Sequence, residues 1–534
     1  MPGRAMPGDH QAGDQWPEDP RPQDHQPVTV AGIAEETLDP DDWMTLRALS
    51  HAVVDEAVFY LRDIREQPVW RQMPAEVRDF YYQALPHEPM PAADVYRQIT
   101  SNLMPYPMGN IHPRFWAWYM GAGNFTGALG DFLAAILGSN VGGGSHAAAE
   151  MDQQVVRWCK EMTGFPAEAS GTLVSGGSMA NLIGLTVARN AKAGIDVREE
   201  GVAAMARPLR FYASDQVHSC HRKAMETLGL GNKALRRIAT DDALRIDLVA
   251  LRRAIVADRD AGLEPACIIA TAGTVNSGAI DDLTALAYIA AEENLWLHVD
   301  GCIGALIALA PRHHHLVAGL ARADSLALDP HKWLHAPFEV GCALVRDAKR
   351  HHRTFAVTPE YLESSARGLA SGEWLHEYGL QTSRGFRALK VWMALKEHGA
   401  DKFGRLIDQN IDQAHYLSGL IAAEPQLELI APTTINIVCF RFHPGGLGNQ
   451  EAGDEENGNQ AIGGEALKAL NNEILLRLQE SGIATLSDTT IKGEYCLRVA
   501  ITNHRTRRSD LDLLVQETLR IGRDVLAGGI ETLF

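Results

Sequence analysis

In Asp329-Pro330-His331-Lys332-Trp333 a lysine amine directly follows a short apolar run, and Asp300 ends another such run, LWLHVD, just before the small residues Gly301 and Cys302. A carboxylate at a strand end can pair with a protonated pyridine nitrogen and stabilise the charge that makes such a ring an electron sink. In isolation a metal ligand or a helix cap reads the same way. A lysine that forms an imine needs a partly apolar setting that lowers its pKa, whereas an ordinary lysine is a solvated surface charge. Ser175-Gly176-Gly177-Ser178-Met179-Ala180-Asn181 leads into the helical pattern LIGLTVARNAKA. Its glycines admit close backbone approach, and the helix-start amides with the Ser178 hydroxyl make an anion site suited to phosphate. The plain alternative is a turn entering a helix. The triphosphate-binding pattern G-x-x-x-x-G-K-[ST] is not found at this turn. In Tyr212-Ala213-Ser214-Asp215-Gln216-Val217-His218-Ser219, His218 follows a strand and can stack on a flat ring or move protons, though a loop histidine is otherwise structural. Thr271, in ATAGT, closes a further strand.

The elements that must position these residues are short apolar runs alternating with helical patterns: RFYAS from 210, CIIATAG from 267, LWLHVD from 295, SLALD from 325 and CALVRD from 342, with the helix DDLTALAYIAAEEN between the second and third. That order implies a mostly parallel sheet covered on both faces. Ligands of such sheets sit beyond the carboxyl ends of the strands, where the polar residues above fall. Residues 1–40, rich in Pro, Asp, Gln and Gly, read as a disordered tail. A helical N-terminal segment over 41–120 starts with WMTLRALSHAVVDEAVFYLRDI, whose apolar residues recur three and four apart. The main sheet domain is expected over 121–398 and a smaller C-terminal domain over 399–534, interrupted by a flexible insertion at 443–464.

With 534 residues and 46% hydrophobic side chains, the chain can bury a large core with a smaller one attached. Lys+Arg of 49 against Asp+Glu of 67 leaves a net charge of −18, which argues against nucleic-acid or anionic-membrane binding. The 7 cysteines are scattered, odd in number and without the C-x-x-C spacing that suggests zinc or redox chemistry, and a reduced cytoplasm fits best. No apolar run approaches the roughly 20 residues of a membrane helix, and the N-terminus lacks a signal peptide's apolar stretch. His313-His314-His315 and His351-His352 suggest metal to the eye, but adjacent histidines point different ways and no acid or cysteine set accompanies them; both read as surface loops.

Taken together and in order, these pieces resemble the group II pyridoxal-phosphate decarboxylases, the family of aromatic-amino-acid, histidine, glutamate and diaminobutyrate decarboxylases. The resemblance runs from about Asp41 to the C-terminus. It includes His112-Pro113 with its aromatic followers, the SGGS-x-A-N turn, YASDQ-x-H-S, HVD, DPHKW, Arg384-Gly385-Phe386-Arg387-Ala388-Leu389-Lys390 and Asn503-His504-Arg505-Thr506. HKW following HVD is its most specific element. The resemblance implies an α/β fold of the type I, aspartate-aminotransferase-like class with pyridoxal 5′-phosphate as cofactor. It implies that Lys332 forms the internal aldimine and His218 stacks on the ring, as the catalytic residues, while Asp300 pairs with the pyridine nitrogen. Gly177 and Ser178 with His331 would hold the phosphate, and Thr271 and Cys302 would pack around the ring. The substrate would be an L-amino acid and the products its amine and CO2, formed in a homodimer with a shared active site.

Three positions depart from the family pattern. The loop before RGFRALK carries a proton-donating tyrosine in relatives, where counting back from Phe386 finds Trp374 or Leu375; Tyr378 is nearby but offset. Relatives without that tyrosine can yield an aldehyde, ammonia and peroxide, so oxidative decarboxylation is an alternative. Met179 replaces a common Glu, and Cys302 a usual Ala. Phe115, Trp116, Trp118 and Tyr119 would suit an aromatic substrate as pocket walls, or serve as core or dimer contacts. An aminotransferase would need a ketoacid partner and an arginine for the α-carboxylate; Arg384 could be put forward, but its position matches the decarboxylase segment instead. The remaining class, a non-catalytic cofactor-binding protein, does not account for Lys332, Asp300 and His218 occurring together.

Overall fold

In the computed structural model, residues 36–357, 365–445 and 463–528 are described. Most of the expected N-terminal tail (1–35), most of the expected insertion (446–462) and the start of the loop before RGFRALK (358–364) lie outside them. The chain divides into two units, Met1–Glu56 and Ala57–Phe534. The expected helical segment contains the helices Trp43–Arg62, Ala75–Phe80 and Ala92–Asn102.

The larger unit is organised on a seven-stranded sheet of β1 (Ser170–Val174), β2 (Leu209–Ser214), β3 (Leu235–Ile238), β4 (Glu264–Thr271), β5 (Trp296–Asp300), β6 (Ser325–Leu328) and β7 (Gly341–Val345), in the order β1-β7-β6-β5-β4-β2-β3. All five expected apolar runs are strands of this sheet. Every residue of β5, β6 and β7 is buried, which is why each reads as an unbroken apolar run rather than an alternating one. β2 to β6 pair parallel, but β7 runs antiparallel between β6 and β1. Two reversals leave β1 pointing the same way as β6, so the carboxyl ends of β1, β2, β4, β5 and β6 share one edge. β1 and β3 were not anticipated: SGTLV carries little apolar signal and LRRI is short and charged.

Aspartates start several of the connecting helices. Asp247, Asp282 and Asp347 each accept amide hydrogen bonds from the first turn that follows, satisfying donors that a helix cannot pair internally. The helix Gly177–Lys192 packs on β5, β6 and β7 through Ala180, Ile183, Leu185 and Val187. A second, antiparallel sheet is built of β8 (Leu427–Leu429), β9 (Ile437–Phe442), β10 (Ser487–Ile491) and β11 (Glu494–Ala500), in the order β10-β11-β9-β8. Leu497 and Val499 of β11 join a core with the helices Ala400–Ala423, Gly464–Glu480 and Arg508–Gly528. Alternation sends Cys496 and Ala500 into the main core instead, with Arg498 on that same side.

Candidate active site

Lys332, Asp300, His218, Thr271, Cys302, His331, Gly177 and Ser178 all line one cleft of about 580 Å³ at the carboxyl edge of the main sheet. Their placement follows from strand register. Thr271 and Asp300 are paired end residues of β4 and β5. Lys332 lies in the single turn Pro330–Trp333 after β6, and His218 caps the helix Ser219–Thr227 after β2. Gly341 makes the β1–β7 approach possible, since a Cβ there would lie 2.6 Å from the Gly176 Cα.

Asp300 is buried. Its Oδ2 meets His221 Nε2 at 2.8 Å and its Oδ1 accepts the Cys302 amide at 3.2 Å. Burial opposes its charge, but the hydrogen bond and positive charge of His221, with Cys302 and Lys332, hold the carboxyl far below the usual range. Lys332 Nζ lies 2.9 Å from Asp329 Oδ2 with the side chain 17% exposed. The sequence expectation of a lowered lysine pKa is therefore not what this pocket produces. Burial does disfavour the ammonium, yet Asp329, with Cys302 and Asp300, outweighs it and raises Lys332 above its ordinary value. His331 Nδ1 accepts the Val340 amide at 3.1 Å, and burial lowers its pKa. The His218 Nδ1 accepts the Cys220 amide at 3.2 Å, while the side chain of Cys220, rather than that amide, raises its pKa.

The cleft offers unmatched polar groups. Thr271 Oγ1 and Asp329 Oδ1 are buried without partners. The first amides of the helix Gly177–Lys192 have no intrahelical acceptor. A Cβ on Gly177 would lie 2.5 Å from Cys302 Sγ and 2.7 Å from Asp329 Oδ2, so the space there exists because the residue is glycine. A helix N-terminus for a phosphate, a fixed carboxylate for a ring nitrogen and a buried amine for a carbonyl carbon fit the donor and acceptor needs of pyridoxal phosphate.

Sequence reasoning missed two residues of this region. Arg498 reaches the cleft from β11; its Nη1 donates to the Trp118 carbonyl at 2.5 Å and its Nε to the Asn276 carbonyl at 3.1 Å. The Arg498 Nη2 is buried and unpaired, and among the described residues the partners of this guanidinium are carbonyls and the Ser487 hydroxyl rather than an acid. His221 was the other. Nothing local marks either, although the single arginine in an otherwise apolar strand, CLRVAI, was a signal available to be read.

Several other expectations are decided by position. Trp118 and Tyr119 line the cleft, whereas Phe115 and Trp116 are core residues, 4% and 0% exposed. Arg384 lies outside the cleft lining: it donates to Asp152 at 3.1 Å and to the Val141 and Leu173 carbonyls. Asn503 donates to the carbonyls of Ile111 and His112, and Thr506 to that of Pro113, so the N-H-R-T motif clamps the His112-Pro113 segment. The Tyr378 hydroxyl donates to Glu373 at 2.5 Å, and neither it nor Trp374 or Leu375 lines the cleft. His313 pairs with Asp408 at 2.7 Å, while His314 and His315 meet backbone carbonyls. The reading of His351 as a surface residue is corrected: it is buried, held by Ser170 Oγ at 2.8 Å and the Tyr378 carbonyl at 2.9 Å.

The family described as pyridoxal-dependent decarboxylase conserved domain matches residues 74–443. An aromatic-L-amino-acid decarboxylase of Bacillus atrophaeus is 33% identical over 488 residues, 90% of this chain and 96% of that one. Among solved structures, Oryza sativa TDC with PLP and tryptamine superposes with a TM-score of 0.82 at 26% identity, covering 92% of this chain and 100% of its own. The Rhodiola rosea 4-hydroxyphenylacetaldehyde synthase shares the fold with a TM-score of 0.78 at 23% identity, covering 91% of this chain and 100% of its own.

Proposed function

The chain belongs to the pyridoxal-dependent decarboxylases, fold type I carboxy-lyases that use pyridoxal phosphate, and we propose that it converts an aromatic L-amino acid to its amine and CO2. The observation that carries this reading is the convergence of the Lys332 amine, the Asp300 carboxylate and the Gly177–Ser178 helix start in one cleft. Lys332 would anchor the cofactor covalently and Asp300 would pair with its ring nitrogen. The Gly177 and Ser178 amides with His331 would hold the phosphate. His218 would cover the ring face, and Thr271 and Cys302 would pack around the ring. Bound pyridoxal phosphate supplies the sink for the electron pair that CO2 leaves behind.

The chain's own residues do the rest. Arg498 Nη2 orients the substrate carboxylate, a charge-assisted hydrogen bond in a buried setting. Trp118 and Tyr119 wall the space for an aromatic side chain. Lys332 Nζ, which Asp329 favours as an ammonium, holds the proton that replaces CO2 at the α-carbon. Arg384 is committed to Asp152, which removes the carboxylate-binding residue an aminotransferase reading would use. A second reading, oxidative conversion to an aldehyde, is favoured by one observation: the Tyr378 hydroxyl faces Glu373 rather than the cleft.

The protein acts as a homodimer in a reducing, cytoplasmic setting. In support, Phe132, Ile136 and Leu137 of the helix Phe125–Leu137 are 58%, 71% and 63% exposed, an apolar face on one element, and all seven cysteines are unpaired. Light scattering of the purified protein tests the dimer.

The activity test compares cofactor-loaded protein with Lys332→Ala across the amino acids, recording CO2, amine, aldehyde and peroxide. Amine and CO2 without peroxide, lost in the variant, are expected for an aromatic substrate. Aldehyde with peroxide would move the protein to the oxidative class, and no turnover by either protein would overturn both readings.

A further inference from the structure

Behind Asp300, on the side away from the cleft, lies an ionisable side chain that the reaction as described does not use. His221 stands in the helix Ser219–Thr227, its Nε2 2.8 Å from Asp300 Oδ2, with side-chain exposures of 0% and 9% for the pair. Its Nδ1 is buried without a hydrogen-bond partner. The Cys220 thiol is close by, its Sγ within 4.8 Å of the facing His221 and Asp300 atoms. The ring of His298 sits edge-on at 6.2 Å, with its own nitrogens bonded to Ser325 Oγ at 2.8 Å and Asn181 Oδ1 at 2.7 Å. Asn181 Nδ2 in turn faces the sulfurs of Cys220 and Cys302 at 3.7 and 3.6 Å. The second layer around Asp300 is thus a connected polar network inside a core whose neighbouring strand residues are apolar. Packing alone does not ask for this, because an apolar residue of similar volume fills a buried site without the desolvation cost of a charge.

We infer that His221 is a positioning residue that acts through Asp300: as an imidazolium it holds the carboxylate in place and in its ionised form, so that the cofactor's ring nitrogen keeps its proton. The inference rests on the assignment of Asp300 to that nitrogen. The groups that face His221 agree with a charged ring. Cys220 and Asp300 are its two potential anions, His298 is held neutral by burial, and His218 and Lys332 stand on the far, cleft side of Asp300. Burial disfavours the imidazolium, but Cys220 and Asp300 together outweigh it and raise His221 to about 10. A neutral ring would bond Asp300 equally well in geometry and would leave it free to share a proton with its partner, weakening the sink.

The test uses the holoenzyme and two variants. His221→Leu fills the volume and removes the donor, and His221→Gln returns a neutral donor. Three quantities are read: the dissociation constant for pyridoxal phosphate, the pH midpoint of the bound cofactor's visible absorption, and kcat separately from KM. For His221→Leu the expectation is about a tenfold rise in the dissociation constant, a midpoint moved by about one unit and kcat down about tenfold with KM nearly unchanged. His221→Gln should recover part of the affinity but not the midpoint. A variant that folds with the wild-type circular dichroism and leaves all three quantities within about twofold would overturn the inference. Should His221→Leu fail to fold, nitrogen-15 NMR of the ring in the cofactor-free wild type decides: both nitrogens protonated at pH 8 supports it, a neutral ring overturns it. Failure of wild type to take up pyridoxal phosphate would overturn the site assignment as well. Uptake that Asp300→Asn abolishes but the His221 variants leave untouched would overturn this inference alone.

Discussion

Asp300 Oδ2 and His221 Nε2 face each other at 2.8 Å in the core, and at residue scale the consequences of the inferred charge on His221 have a sign. His221 rises from 6.5 to about 10, so the stability it contributes is fully present below about 6.5 and is lost as pH climbs through about 10. Asp300 is depressed, so its share is present above the ordinary carboxylate value and is lost only in strong acid. Wild type should therefore show a urea midpoint that is highest near pH 6 and falls progressively between about pH 6.5 and about 10, more steeply than that of His221→Gln over the same range. Asp300→Ala strands the imidazolium and should cost about 3–5 kcal/mol at pH 7, measured by urea unfolding of the cofactor-free protein. Lys332 teaches the complementary point. Burial disfavours its ammonium, and the surrounding acidic groups, Asp329 at 2.9 Å foremost with Cys302 and Asp300, reverse the direction.

At the scale of elements, the helix Gly177–Lys192 and the segment Arg384–Lys390 do different work from what their motifs suggest in isolation. Gly177→Ala would drive a methyl group into Cys302 Sγ and Asp329 Oδ2, whereas the same change at Gly176 meets only His331 Cε1 at 3.1 Å. Gly177→Ala should lower retained pyridoxal phosphate after gel filtration by about tenfold or more, with Gly176→Ala far milder, since the first obstructs the helix-start donors. Arg384 ties β1 and the turn at Val141 to Asp152 of the helix Ala147–Thr163, with both side chains nearly fully buried. Arg384→Ala should destabilise by about 3–5 kcal/mol through the unpaired Asp152, and Arg384→Lys should not rescue it, because a single ammonium cannot serve the three acceptors of the planar fork. Thermal unfolding of both variants checks this.

Across the whole molecule, the second sheet closes the cleft that the first one opens. β11 presents Arg498 to the same space as Lys332 and Asp300. Arg498→Ala should raise KM by about 10- to 100-fold, the worth of a charge-assisted hydrogen bond, with cofactor absorption retained; steady-state kinetics beside a spectrum of the holoenzyme separates the two. Much of this was legible in the chain. The apolar runs ending in Thr271, Asp300 and Asp329, and the glycine turn before Ser178, located the sheet edge and its chemistry, because side-chain type and hydrophobic period are local properties. Only the tertiary structure decided that β7 reverses direction, that Arg384 serves Asp152, that Arg498 enters the cleft and that His221 backs Asp300 across 79 residues of sequence. Those outcomes depend on which distant groups are buried against one another, and burial and pairing, rather than residue type, set the charge each of them carries.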